Sequence, residues 1–100
     1  MRTKEESLQR EIEAVKRKLL ALGEMRPGSL SVQTRKWGGQ YWQLSYTHRG
    51  KGHTQYIPPK NLKTVERQIA NYHKFRELTQ KWIDAEIELC KLKLEGQAEA

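Results

Sequence analysis

Few side chains in this sequence could do covalent or metal chemistry, and their placement suits neither. Cys90 is the only cysteine and Asp84 the only aspartate in 100 residues. A Cys–His nucleophile needs its thiol beside an imidazole, yet Cys90 falls on an apolar stripe, where a small packed thiol is the ordinary reading. General acid–base work needs carboxyl groups that converge within hydrogen-bond reach; Asp84 and the nearby glutamates instead fall at solvated helix positions. His48 and His53 flank a turn with no Cys, Asp or Glu close by in sequence, so they read as exposed loop histidines rather than metal ligands. Gly50-Lys51-Gly52 lacks both the spacing and the strand-to-helix context of a phosphate loop. The expectation is no catalytic residue, no metal, no cofactor and no small-molecule substrate.

What remains is chemistry of recognition. The net charge is +7, and no Asp or Glu occurs between Glu24 and Glu66, whereas Arg35, Lys36, Arg49, Lys51 and Lys60 all do. A like-signed cluster repels itself unless an anion compensates it, and phosphate is the commonest such partner. Arginine pairs in bidentate fashion with the guanine edge and glutamine with the adenine edge. Lysines and hydroxyls at strand ends can hold phosphates. The candidate nucleic-acid-binding set is therefore Gln33, Arg35, Lys36, Trp37, Tyr41, Gln43, Arg49, Lys51, His53 and Lys60.

Three elements must position these groups within a single domain. Leu8, Ile12, Val15, Leu19 and Leu22 line one stripe of a helix within residues 1–24, with Thr3 and Glu6 at capping-box spacing and Gly23 as the expected stop. Residues 29–58 form a basic three-stranded sheet. In SLSVQTRK, Leu30, Val32 and Thr34 alternate with Ser31, Gln33 and Arg35. In QYWQLSYTH, Trp42, Leu44 and Tyr46 alternate with Tyr41, Gln43 and Ser45. A two-residue Gly38-Gly39 turn would set the apolar face of one strand on the polar face of the other. A three-residue loop, Trp37 to Gly39, avoids this and pairs Thr34 with Trp42, Val32 with Leu44 and Leu30 with Tyr46. On this reading Trp42 is fully buried, and Ser31, Gln33, Arg35, Tyr41, Gln43, Ser45 and Thr47 share the open face. A third strand around HTQYI follows the second tip, with either Tyr56 or Ile57 facing the core, and Pro58-Pro59 ends it.

Residues 61–95 read as one long helix with Asn61 as N-cap, and residues 96–100 as a disordered tail. Leu62, Val65, Ile69, Tyr72 and Phe75 start one stripe; Leu78, Trp82, Ala85, Leu89 and Leu92 continue it. A second stripe, Ile83, Ile87, Cys90 and Leu94, needs a second neighbour and is the expected oligomer interface, met by another copy in a homodimer or by a helical protein partner. The fold class is α+β in the order α-β-β-β-α, a three-stranded antiparallel sheet backed by helices, with the C-terminal helix pairing with the N-terminal one.

The runs RPGSLSVQ and YWQLSYT, followed by G-K and Y-I-P and by a helix like NYHKFRELTQKW, resemble a bacterial and archaeal family of small uncharacterised proteins. That family is a domain of unknown function often met near mobile elements. The resemblance covers about residues 26–83. Many members look to carry a cysteine-rich insertion after the R-K; here KWGGQYW stands in its place, so no metal function carries over. A looser likeness of fold alone links the pattern to the three-stranded, helix-backed DNA-binding domains of phage-type integrases and of a class of plant DNA-binding factors.

The sequence thus points to a non-enzymatic protein that binds nucleic acid, duplex DNA ahead of RNA, through its acid-free sheet. Two alternatives stay open: an adaptor or inhibitor subunit acting through its helices, and stacking of Trp37 and Tyr41 on unpaired bases. The charged N-terminus lacks the apolar run of a secretory signal, and no stretch approaches ~20 apolar residues. A cytoplasmic protein without membrane contact is expected.

Overall fold

A computed structural model describes residues 3–99, with side chains as far as Gly96. The order is α1 (Lys4–Leu20), β1 (Ser29–Thr34), β2 (Gln40–His48), β3 (Lys51–Ile57), a 3-10 turn (Pro59–Asn61) and α2 (Leu62–Glu99). This is the α+β order expected. The chain divides into two compact units: Gly23–His73 forms one, and the residues up to Leu22 with those from Lys74 onward form the other. Among the described residues no helix is long and apolar enough to cross a membrane.

In the helical unit, Thr3 caps α1: its Oγ1 accepts from the Glu6 amide at 3.1 Å, satisfying one of the N–H groups that a helix start leaves unpaired. The apolar stripe of α1 packs as its spacing requires. Ile12 joins Ala85 and Leu89 in one buried cluster, with Leu8 and Trp82 against it. Helix α1 closes at Leu20 with Ala21 as a right-handed C-cap, ahead of Gly23, so the expected glycine stop is not used. At the other end α2 runs on through Gly96 to Glu99, past the expected stop near Glu95 and into residues expected to form a disordered tail. One glycine costs a helix only about 1 kcal/mol, and the Gln, Ala and Glu that follow are good helix formers. Ala100 lies outside the described residues.

In the sheet unit the three strands run antiparallel in the order β1-β2-β3. Their register differs from the expected one. Thr34 pairs with Gln40, Val32 with Trp42 and Leu30 with Leu44, a shift of two residues. The side-chain period of a strand is two, so the shift keeps every residue on its expected face while changing its partner. The cause is the loop, which runs from Arg35 to Gly39: the Gly38 amide donates to Arg35 O at 3.1 Å and the Arg35 amide to Gly39 O at 3.0 Å. Gly38 and Gly39 both have positive φ, at 94° and 83°.

The core of this unit is Leu44, Ile57 and Val65, with Leu30, Trp42, Tyr46 and Ile69 packed around it. Ile57, not Tyr56, faces inward, because Arg49-Gly50 makes a two-residue turn and pairs His48 with Lys51. Two expected core residues are less covered than the pattern implied. Trp42 is only half-buried and Val32, on an edge strand, is 45% exposed. Within this unit the buried cluster centres on Leu44, Ile57 and Val65, with Trp42 at its rim and Val32 outside it.

The strap from Gly23 to Gly28 is tied to the start of α2. Asn71 Nδ2 donates to Glu24 O at 2.9 Å, Gln68 Nε2 to Glu24 Oε2 at 3.1 Å, and the Arg26 amide to Gln68 O at 3.2 Å.

Candidate nucleic-acid interface

Strand pairing sets the open face of the sheet in rows. Ser31, Gln43 and Tyr56 lie side by side across all three strands, as do Ser29, Ser45 and Thr54, while Gln33 stands opposite Tyr41. Every one of these side chains carries a hydrogen-bond donor and none is acidic. The glutamines lie along their own strands: Gln33 Nε2 donates to Ser31 Oγ at 2.9 Å and Gln43 Nε2 to Ser45 Oγ at 3.4 Å. Each bond uses one amide hydrogen and leaves the rest of the amide edge open.

The hairpin end of this face is aromatic and basic. Tyr41 and Tyr56 have ring centroids 6.1 Å apart and tilted by 49°. The Arg35 guanidinium lies 5.1 Å over the Tyr41 ring, an arrangement that orients an arginine without neutralising it. Thr34, Arg35, Lys36, Trp37, Tyr41 and Tyr56 line an open groove here. Trp37 is 83% exposed and Tyr56 51% exposed. At the opposite end of β2, Arg49 forms the second tip with φ 52°, followed by Gly50 at φ 78°. The left-handed region costs a non-glycine residue about 1–2 kcal/mol.

The other candidates are dispersed. Lys51 and His53 alternate onto the face that carries Leu44, and His53 stacks on Tyr46 at 4.9 Å between centroids. Neither joins the open face. Lys60 sits exposed in the turn after β3, and its neighbour Pro59 lines a hollow with Arg35 and Gly39. Tyr56 and Thr54 join the face although they are absent from the expected set. The signal for them is the Arg49-Gly50 turn, whose two residues both at positive φ suit a tight hairpin and decide the register of β3.

Electrostatically the sheet unit is one-sided. It holds Arg26, Arg35, Lys36, Arg49, Lys51, Lys60, Lys63 and Arg67 against Glu24 and Glu66, so it carries most of the net charge of +7. Among the described residues the ion pairs are Lys4–Glu88 and Lys16–Glu13, both in the helical unit. Among the described residues no carboxylate therefore neutralises Arg35, Lys36, Arg49, Lys51 or Lys60. Arg26 is spent internally: its guanidinium lies 4.8 Å over Tyr46 and Nη1 donates to Gln55 Oε1 at 3.3 Å. No group of three or more His, Cys, Asp and Glu gathers among the described residues.

In the helical unit the second stripe stands open. Ile83 is 52%, Ile87 50% and Leu94 65% exposed, and Cys90 is exposed and free.

The profile of a family described as a domain of unknown function (DUF6788) matches residues 5–67. The match takes in α1, the whole sheet and the start of α2, so it begins earlier and ends sooner than the resemblance over residues 26–83. Neither the curated proteins nor the solved structures provide a match.

Proposed function

The chain belongs to the DUF6788 family, and from its own geometry we propose that it is a non-enzymatic nucleic-acid-binding protein whose sheet enters the groove of duplex DNA. One observation carries this reading: a donor-rich face without a carboxylate, bounded at both ends by arginines that no acid among the described residues neutralises. Size supports it. Three strands at ~4.8 Å spacing present a face about 10 Å across, and the major groove is about 12 Å wide. Gln43, in the central strand, is the residue for reading a base edge, and Gln33 flanks it. Arg35, Lys36 and Arg49 lie where phosphates would bound the groove. The strained φ of Arg49 supports the same reading, since the turn would be easier with glycine or asparagine there.

Exposure of Trp37 and Tyr56 favours a second reading, in which unpaired bases stack on the hairpin tip. A competition experiment separates the two. Labelled random duplex is bound in low salt, then challenged with unlabelled duplex, single-stranded DNA and RNA. Duplex as the strongest competitor, with Gln43→Ala weakening it more than Trp37→Ala, supports groove binding. Single strands as the strongest competitor, with the mutant order reversed, support stacking. No binding of any of the three ends both readings.

A further inference from the structure

We propose that two copies of this chain associate through α2 as an antiparallel helix pair whose seam is Ile83, Ile87, Cys90 and Leu94. The inference stands apart from the DNA reading and rests on the charges beside the stripe.

The seam residues follow one another at steps of four, three and four, the spacing of alternating a and d positions in a coiled coil. They are exposed, and α1 does not cover them, because it packs on Ala85, Leu89 and Trp82 of the same helix. Along one edge of the seam stand Glu86 and Lys93, and along the other Asp84 and Lys91.

In an antiparallel pair each a residue meets a d residue of the second copy. Ile83 then faces Leu94, and Ile87 faces the small Cys90. Antiparallel geometry also brings together like edges. Glu86 falls opposite Lys93 of the second copy, and Asp84 opposite Lys91, and symmetry repeats both pairings. Every flanking pair is of opposite sign. A parallel pair would place Glu86 opposite Lys91 but Asp84 opposite Thr79 and Lys93 opposite Ala98, and would set Cys90 against its own copy. The antiparallel register alone uses all four charges.

Those charges are available. Lys91 and Lys93 have no ion pair among the described residues. Among the described residues Asp84 is held only by Gln80 Nε2, at 3.0 Å. Glu86 accepts from Trp82 Nε1 at 2.8 Å through Oε2 and lines a hollow with Ile12, Lys16 and Leu89, so Asp84 with Lys91 is the freer of the two pairs. The helix is already formed, so association adds no cost of helix nucleation. The seam is short, and a concentration-dependent dimer is the expected form.

The test is sedimentation equilibrium of the full chain up to high-micromolar concentration in low salt. Wild type should move from 11.8 kDa toward twice that mass as concentration rises. Ile87→Glu should stay monomeric with an unchanged helical circular dichroism spectrum, since the side chain is half in water already. Asp84→Lys should raise the dimer Kd about tenfold, as two attractive pairs become repulsive, and adding Lys91→Asp should restore it. In the parallel register that second change would set Asp beside Glu86 and restore nothing. Wild type that is monomeric throughout overturns the proposal. So does a dimer indifferent to Ile87→Glu, or one that Asp84→Lys weakens and Lys91→Asp fails to rescue.

Discussion

Leu44 is 0% exposed, and the residue that closes over it is a glycine. A Cβ on Gly28 would stand 2.6 Å from Leu44 Cδ1, and its φ of 144° is one that side chains rarely adopt. Gly28→Ala therefore meets strain and a clash together, and should cost at least about 2 kcal/mol in urea unfolding. Gly39→Ala is the control. Its φ is 83° but nothing lies within 4 Å of the added methyl, so strain alone, about 1 kcal/mol, should appear. Equal losses at the two sites would mean that Gly28 does not touch Leu44. Leu44→Ala should cost about 2–5 kcal/mol, and Trp42→Ala less than the roughly 3–5 kcal/mol of a fully buried ring. A recognition residue can be told from a folding residue in the same way. Arg49 sits at φ 52°, so Arg49→Gly should raise stability by roughly 0.5–1 kcal/mol while weakening DNA binding. A variant that gains stability and keeps full affinity would remove Arg49 from the interface.

At the scale of elements, what can be read from the sequence is whatever has a period. The α1 stripe, the alternation of SLSVQT with QYWQLSYTH and the two stripes of α2 all follow from spacing alone, and the structure puts Ile12, Leu44, Ala85 and Leu89 in its cores accordingly. The open face is legible for the same reason, because Gln33, Tyr41 and Gln43 alternate with core residues. Loop length is where reading stops. Registers two residues apart put identical sets on identical faces, so the pattern does not distinguish Thr34 opposite Trp42 from Thr34 opposite Gln40. The turn hydrogen bonds of Arg35 with Gly38 and Gly39 decide it, and they leave no trace in hydrophobicity. Burial depth is illegible too: Val32 and Trp42 are core-type residues, yet one lies on an edge strand outside the buried cluster and the other only at the cluster's rim. Gly23 and Gly96 show the limit of punctuation: neither ends its helix. The Thr3 cap, in contrast, behaves locally, and Thr3→Ala should cost about 1 kcal/mol of thermal or urea stability. No loss would mean that the 3.1 Å bond to Glu6 contributes nothing in solution.

At the scale of the whole chain, charge and apolar surface are sorted between the two units. The sheet unit holds most of the positive charge with no ion pair among its described residues, and the helical unit holds the ion pairs and the open apolar seam. On the two proposals made above, recognition of an anion falls to one unit and of a second copy to the other. The DUF6788 match at residues 5–67 covers the complete sheet but stops before the seam, so recognition by the sheet is the property to seek across the family. The most direct measurement is fluorescence anisotropy of a labelled random duplex over a series of salt concentrations, on wild type and on Arg35→Ala/Arg49→Ala. Binding through the sheet predicts affinity that falls steeply with salt in wild type, and a log–log slope shallower in the double mutant by about 0.9 for each phosphate no longer neutralised. Absence of binding at low salt, or binding with the same slope in both proteins, would contradict it.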